Sequence, residues 1–248
     1  MRRVLIGTPS HDGKLEAYYV HALTQTIRLC WGKIEIRELI LCYEALIQNL
    51  RNDIVADALH FKFDDLIFID ADQDWQAEWV PTLLSYPVDC VGAAVRKKTD
   101  EAELYNVRLG GGVESIQVDA ATGLWTAPDI ALGCGFLRFS RKALQVLWDN
   151  SEKYTSAPGK RPAAWIFDVR PIEGQLVGED IHASLKLRSL GIPTWLDPNM
   201  TCGHIGAKKF TGDFQAYIRR QQKLVRPLPL PSQNSVPAHD YGHAHTTF

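Results

Sequence analysis

The sequence lacks the cysteine pattern of a disulfide-bonded or zinc-binding protein. It contains five cysteines, an odd number, and no two of them form a C-x-x-C pair. Disulfide frameworks and structural zinc sites both depend on cysteines paired at short, regular spacings. The pattern argues against both, and we expect a protein of the reducing cytoplasm. The cysteines are Cys30, Cys42, Cys90, Cys134 and Cys202.

Long apolar segments and a strong excess of one charge are also missing. The apolar stretch at residues 4–6 is too short for a secretion signal, and no later segment is long enough to span a bilayer. The 27 Lys and Arg nearly balance the 29 Asp and Glu, giving a formal net charge of -2. Charge therefore gives no general attraction to nucleic acid or anionic membranes, and contact with a polyanion would require a local patch.

The sequence does contain enough apolar residues for one substantial core. Of its 248 residues, 46% are hydrophobic and 23% are charged, and we find no internal repeat. This length is near the upper size of a single domain, and we predict one domain over residues 1–226. Residues 227–248 are rich in Pro and His without periodicity, which predicts an extended or disordered tail.

Short apolar runs alternate with helical patterns along the chain. The segments "RRVLIGTPS", "DDLIFID" and "VDCVGAAV" predict buried strands, and "EWVPTLLSY" predicts a short helix. Apolar residues at three- and four-residue spacing predict an amphipathic helix over residues 35–59. This order indicates an α/β fold with a mainly parallel sheet, whose ligands bind at the carboxyl ends of the strands.

The second half of the chain is more mixed. Residues 105–139 are rich in Gly and β-branched residues, which predicts hairpins. Helices are predicted over residues 141–148 and in "EDIHASLKLRSLG", and a strand is predicted in "PTWLDP".

A cluster of acids follows the strand "LIFID". Asp70 and Asp72 stand where this strand leaves the sheet, and in an extended chain their side chains point the same way. Neighbouring carboxylates repel unless a cation is present, and oxygen ligands of this kind suit Mg²⁺ or Mn²⁺. An isolated D-x-D is more often a solvated turn. Asp74 is expected to be a turn acid.

Seven segments in a fixed order resemble the GT-A glycosyltransferases. Their order and separation are more specific than any one of them, and the resemblance is nearest to the short glycosyltransferase-2-like enzymes of phage and bacteria. It implies a GT-A domain with a nucleotide-sugar half over residues 1–100 and an acceptor half over residues 101–226. The segments are "IGTPS", "NLRND", "LIFIDADQDW", "VGAAVRKK", "LGCGFLRFSRKAL", "GEDIHASLKLRSLGIPTWLDP" and "CGHIG".

The resemblance implies a donor site near the N-terminus. Thr8 and Pro9 match the loop that holds the nucleotide base and ribose. Arg51 and Asn52 match a pair that faces the nucleotide-sugar. Arg51 is equally well interpreted as a solvated helix residue.

The resemblance also implies a metal site. Asp70 matches the D-x-D position nearer the ribose, and Asp72 matches the position that holds the metal directly. His204 matches a late histidine that completes the site. The implied cofactor is Mn²⁺ or Mg²⁺, and an imidazole ligand favours Mn²⁺.

Asp180 is the candidate catalytic residue. In inverting members of the family, the matching Asp takes the proton from the acceptor hydroxyl. The alternative is a helix N-cap, where Asp is favoured and the helix dipole would lower the pKa of its carboxyl group. Glu179 either holds the acceptor or caps the helix.

The acceptor side has fewer signals. Gly135 and Trp125 are candidate acceptor contacts, although a tight strand crossing and core packing are the common roles of such residues. The segment "AKKFTGDFQAYIRRQQKLVRP" predicts a basic amphipathic helix that either docks on the domain or meets phosphates of nucleic acid or lipid. A hydroxymethylated base of phage DNA is one acceptor compatible with this patch. The basic residues concerned are Lys208, Lys209, Arg219, Arg220 and Lys223.

The predicted function is therefore metal-dependent transfer of a sugar from a nucleotide-sugar, with a UDP-sugar favoured as donor and inversion favoured over retention. A nucleotidyltransferase is the alternative enzyme, but "IGTPSHDGK" lacks the Gly-rich loop expected after its first strand. An inactive nucleotide-sugar-binding module is the other alternative. Such a module would be expected to have lost Asp72, Asp180 or His204, all of which are present.

Overall fold

The computed structural model describes residues 1–155, 161–172 and 174–225. Within these ranges the helices are α1 (Ala17–Cys30), α2 (Ile47–His60), α3 (Trp79–Ser85), α4 (Arg141–Asp149), α5 (Glu179–Ser189) and α6 (Phe214–Val225). The strands are β1 (Arg2–Ser10), β2 (Ile34–Cys42), β3 (Asp65–Ile69), β4 (Gln73–Asp74), β5 (Cys90–Val95), β6 (Val107–Leu109), β7 (Gln117–Val118), β8 (Trp125–Thr126), β9 (Ile130–Leu132), β10 (Phe136–Ser140), β11 (Lys153–Tyr154), β12 (Ala163–Ala164), β13 (Arg170–Ile172), β14 (Gln175–Val177), β15 (Trp195–Ile205) and β16 (Lys209–Phe210). The predicted tail at residues 227–248 lies outside the described residues. In the described ranges, every helix is too short or too polar to cross a membrane.

A large mixed sheet has the strand order β2-β1-β3-β10-β5-β15-β8-β7. β1 is parallel to β2 and β3, and β5 is parallel to β15. β10 lies between β3 and β5 and is antiparallel to both, so β3 and β5 run in the same direction. Five long strands thus run one way and β10 runs the other. The predicted α/β class, with a mainly parallel sheet flanked by helices, is confirmed.

Helices cover both faces of the sheet because its central strands bury side chains on both sides. In β3, Leu66 and Phe68 belong to one apolar core, and Ile67 and Ile69 belong to the other. The first core also contains residues of α2, α4, α5 and α6, and the second contains residues of α1 and α3. A strand buried on both faces has a continuous apolar sequence, which is why β3 was predictable.

The helix predicted over residues 35–59 is wrong in its first half. Residues 34–42 form the edge strand β2, which pairs in parallel with β1 over nine positions. The apolar spacing in "IEIRELIL" fits period two at its start as well as the helical period, and β-branched Ile34 and Ile36 favour a strand. The chain turns at Tyr43, whose φ is 62°, and the helix begins only at Ile47.

The other predicted elements agree with the structure. α3 and α4 occupy the predicted segments, and the Ser140 side chain caps α4 by accepting a hydrogen bond of 3.1 Å from the Ala143 amide. Short antiparallel pairs fill residues 105–139, as expected. The strand predicted in "PTWLDP" begins at Trp195 and continues to Ile205, which brings "CGHI" into the sheet.

Candidate functional site

A pocket of about 490 Å³ lies at the carboxyl ends of β1 and β3. Its walls come from five parts of the chain: residues 9–16, Ile47, residues 70–72, Lys98 and residues 204–206. Pro9, Asp70, Asp72 and His204, all predicted from the sequence, therefore line one cavity. This is the edge of the sheet at which ligands bind in α/β folds.

The two D-x-D carboxylates reach this pocket through a turn rather than an extended chain. The Gln73 amide donates to the Asp70 carbonyl oxygen at 3.1 Å, and the Asp70 amide donates to the carbonyl of Gly135 at 3.2 Å. The sequence prediction assumed an extended chain at Asp70 and Asp72, and this assumption is wrong because the chain turns there. The two carboxylates also contact different partners, Arg51 and Lys98. After the turn, β4 pairs with β15 and sets Gln73 opposite His204.

Asp72 is surrounded by polar side chains. Its carboxylate oxygens lie 2.5 Å from Lys98 Nζ and 3.3 Å from His204 Nε2, and they accept a hydrogen bond of 3.2 Å from the Gln73 side chain. Burial alone would raise the pKa of Asp72, but the contacts with His204 and Lys98 outweigh it and lower the pKa to about 2. Asp72 is therefore ionised at neutral pH.

The orientation of His204 suits a cation between it and Asp72. His204 Nδ1 lies 2.9 Å from the Arg96 carbonyl oxygen, which only accepts hydrogen bonds, so Nδ1 carries a proton. In the neutral ring Nε2 is then an acceptor, and it faces a carboxylate oxygen at 3.3 Å. Two acceptors at this distance require a proton or a metal ion between them. Adjacent ligands of an octahedral Mg²⁺ lie about 3 Å apart, so the pair fits two positions of such an ion.

Asp70 does not join this pair. Across the described residues, no group of three or more His, Cys, Asp or Glu is arranged to hold a metal ion. A metal ion would therefore be held by Asp72 and His204 alone, would displace Lys98 from Asp72, and would keep its other positions for water and further oxygen ligands. Mg²⁺ and Mn²⁺ are commonly held in this way.

Asp70 instead contacts a buried arginine that connects the two halves of the site. Arg51 Nη2 lies 2.9 Å from Asp70 Oδ1, and Arg51 Nε lies 3.3 Å from Glu179 Oε1. The arginine side chain is only 3% exposed, so its interpretation as a solvated helix residue is wrong. Burial would lower the pKa of the Arg51 guanidinium, but Asp70 and the neighbouring acids more than offset this and raise it. Arg51 therefore remains charged and links the D-x-D turn to the start of α5.

Asp180 lies next to this bridge at the second position of α5. The residue at the N-cap is Gly178, so the interpretation of Asp180 as the N-cap is wrong. Asp180 Oδ1 accepts from the Ile181 amide at 2.7 Å, and Oδ2 accepts from the Asn106 side chain at 3.2 Å and the Cys134 amide at 3.3 Å. Three donors hold the carboxylate in one orientation.

Asn106 is a site residue that sequence analysis missed. Its backbone is fixed by hydrogen bonds with Val95 and Gly133, and its side-chain amide reaches Asp180. A Cβ atom at Gly133 would lie 1.7 Å from Asn106 Nδ2 and 2.9 Å from Asp180 Oδ2. Gly133 thus makes room for the amide that orients Asp180. The glycine-rich "LGCGF" was the only signal in the sequence.

Two predicted donor residues have supporting positions. Thr8 is fully buried, and its hydroxyl bonds that of Tyr19 at 2.5 Å. Asn52 is also fully buried, and its side chain binds the backbone of Ile166 and Phe167. Neither lines the pocket. Both side chains point into the protein, so they hold the pocket's supporting elements in place instead of facing a ligand.

Two of the candidate acceptor residues, Gly135 and Trp125, have packing roles. A Cβ atom at Gly135 would lie 2.9 Å from Val95 Cγ2 and 3.5 Å from Asp70 Oδ2, so the glycine allows a tight approach beneath the D-x-D turn. Trp125 packs against the first core, with its ring 6.4 Å from that of Phe214, and does not line the pocket.

The basic amphipathic helix docks on the domain. Phe214 and Ile218 of α6 are buried in the first core. Three of the predicted phosphate-binding cations contact acids of the same chain: Lys208 with Asp100, Lys209 with Asp74, and Arg220 with Glu103. Arg219 and Lys223 have no ion-pair partner in the described part of the chain.

Comparison with known proteins supports the fold. No protein-family model and no curated protein matches the chain. The chain is similar to the crystal structure of A197 from STIV, with a TM-score of 0.51 and 16% identity over 86% of this chain and 91% of that one. Lower TM-scores relate it to mannose-1-phosphate geranyltransferase from Thermus thermophilus (0.36, 12% identity, 91% of this chain and 98% of that one) and to S. aureus TarS 1-349 (0.33, 10% identity, 58% and 48%). The likeness to A197 concerns the fold alone.

Proposed function

We propose that this chain is a GT-A glycosyltransferase that moves a sugar from a nucleotide-sugar, in the first place a UDP-sugar, to an acceptor hydroxyl with inversion. One observation carries the proposal. Asp72, whose carboxylate contacts Lys98, and Asp180, whose carboxylate is held in one orientation, lie at the same edge of the sheet. A chain of contacts through Asp70, Arg51 and Glu179 connects them.

The donor side is suited to a diphosphate. Lys98 and His204 line the pocket with Asp72, and Lys14 lines it as an ion pair with Asp12. A divalent ion held by Asp72 and His204 would neutralise the charge of the departing diphosphate. Lys98, released from Asp72 when the ion binds, would then face the same phosphates. Pro9 and residues 10–16 would lie against the nucleoside.

The acceptor hydroxyl must give up a proton during transfer, and we assign Asp180 as the base that takes it. One of its oxygens takes the proton from the acceptor hydroxyl as the hydroxyl oxygen bonds to the anomeric carbon. The bond between that carbon and the phosphate oxygen breaks, and its electron pair leaves with the nucleoside diphosphate. Because three hydrogen bonds fix Asp180, the base is already oriented when the acceptor binds.

A screen of nucleotide-sugars for thermal stabilisation tests the donor proposal. With Mn²⁺ present, we expect one class of nucleotide-sugar to raise the melting temperature of the wild-type protein. The Asp72→Asn variant should lose this shift, because the contact between protein and diphosphate is broken. Asp149→Asn, at the end of α4 and outside the pocket, is the matched control and should keep it. Equal shifts in all three proteins would remove Asp72 from the donor site.

A DNA acceptor has less support than a small one. The proposed contact surface near α6 loses three of its five cations to internal ion pairs with Asp100, Asp74 and Glu103. Cations that are already paired with acids add less to the positive potential that attracts nucleic acid. The remaining pair, Arg219 and Lys223, is a small patch.

A further inference from the structure

A second cleft, of about 220 Å³, opens beside the start of α5. Its walls are Lys97, residues 105–108 and residues 176–178 together with Ile181. It shares no lining residue with the pocket that contains Asp72. The chain therefore has a separate cavity next to the helix that carries Asp180.

The charged residues that line this cleft are all positive. Lys97 and Arg108 line it, and no Asp or Glu is among its lining residues. Neither cation has an ion-pair partner in the ranges that the structure describes. Lys97 lines this cleft, while its neighbour Lys98 lines the other pocket. Two unpaired cations in a concave site attract an anion.

The wall of the cleft includes a residue that binds the proposed base. Asn106 and Gly178 are both in its wall, and the Asn106 amide bonds Asp180 Oδ2 at 3.2 Å. Gly178 is the N-cap of the eleven-residue helix α5, so the positive end of the helix dipole points to the same place. Only the Asn106 side chain would separate a molecule in the cleft from the Asp180 carboxylate.

We propose that this cleft binds the acceptor and that the acceptor is a small molecule carrying a phosphate group. Lys97 and Arg108 bind the phosphate, while Val107, Val177 and Ile181 contact the carbon skeleton. The volume equals that of about seven water molecules, which suits a phosphorylated polyol or sugar. The acceptor role rests on the proposed transferase activity, whereas phosphate binding in the cleft does not.

Site mapping by amide NMR tests the assignment without catalysis. Glycerol 3-phosphate is titrated into the wild-type protein, with glycerol as the uncharged probe. We expect glycerol 3-phosphate, and not glycerol, to shift the amide signals of Asn106, Val107 and Gly178. The double variant Lys97→Gln/Arg108→Gln should bind about tenfold more weakly, because two charge-assisted contacts are lost. Lys33→Gln/Arg37→Gln, at the far edge of the sheet, is the matched control and should match the wild type.

Each alternative outcome overturns a defined part of the proposal. Shifts confined to residues 70–72 and 204–206 would place the phosphate in the donor pocket only. If glycerol caused equal shifts, the phosphate charge would not be what the cleft recognises. A thymidine oligonucleotide that shifts the cleft signals more strongly than glycerol 3-phosphate, at equal phosphate concentration, would overturn the small-molecule assignment in favour of nucleic acid. Cleft binding in a protein that fails the nucleotide-sugar screen would retain this site and reject the transferase proposal.

Discussion

Replacing Arg51 with Met removes the positive charge that connects the two halves of the site. The guanidinium side chain is 3% exposed, and its partners Asp70 and Glu179 are 27% and 15% exposed. Losing one partner of a buried ion pair costs about 3–5 kcal/mol, since the remaining charge stays poorly solvated. Water reaches both carboxylates in part, so we expect the lower end, about 3 kcal/mol, at neutral pH. Met also removes the cation–π contact of Arg51 with the Phe68 ring, whose centre lies 5.5 Å from Cζ.

The loss of stability should depend on pH in a defined direction. Burial raises the pKa of both Asp70 and Glu179, and Arg51 lowers it. Without Arg51 both values rise further, so the folded variant binds more protons than the unfolded chain. Stability then falls as pH rises through the folded-state pKa values. The difference between wild type and variant should therefore be smaller in mild acid than at neutral or alkaline pH.

Urea unfolding of both proteins at about pH 5 and about pH 8 measures this difference. Arg37→Met is the matched control, because Arg37 is 68% exposed and pairs with Glu35 at the edge of the sheet. The control should not differ measurably from the wild type. A deficit for Arg51→Met below about 1 kcal/mol, or equal deficits at the two pH values, would contradict the bridging role of Arg51.

Three further substitutions test the site. Asp180→Asn should reduce sugar transfer by roughly 10²-fold or more, while unfolding experiments show a loss of only about 1–2 kcal/mol from imperfect hydrogen bonds; near wild-type transfer would indicate a retaining mechanism. Gly133→Ala should cost about 1–3 kcal/mol in urea unfolding, because the new methyl group overlaps Asn106, and Asn106→Gly in the same chain should recover part of it. Lys98→Met should tighten Mn²⁺ binding to the substrate-free protein in calorimetry, since the lysine would compete with the metal for Asp72. The same variant should bind the nucleoside diphosphate more weakly, because a cation that would face the phosphates is lost. Unchanged Mn²⁺ affinity would contradict the competition.

Sequence patterns identified the parts of the fold that depend on local signals. β3 is a continuous apolar run that ends at Asp70, and the Ser140 cap marks the start of α4, so both were predictable. Residues 34–42 were not, because their apolar spacing fits two periods and only pairing with β1 decides between them.

Four of the residues that line the pocket were selected from the sequence, but their contacts were not predictable. Asp72 and His204 meet because β4 pairs with β15, a register that no local pattern contains. Arg51 reaches Glu179 across 128 positions of sequence, and Asn106 reaches Asp180 across 74. The inward direction of Thr8 and Asn52 likewise depends on which partners the fold brings near them.

The positions of β10 and β15 along the chain determine when the sheet can be completed during synthesis. β1, β2 and β3 pair with one another and are all made within the first 69 residues. β5 follows soon after, but both of its neighbours, β10 and β15, come later in the chain. During synthesis the apolar strand β5 therefore stays unpaired until residue 140 has emerged from the ribosome. Its second neighbour, β15, is complete only after residue 205. Slow long-range pairing of this kind exposes strand edges to aggregation, so truncated chains that end before β10 should be poorly soluble.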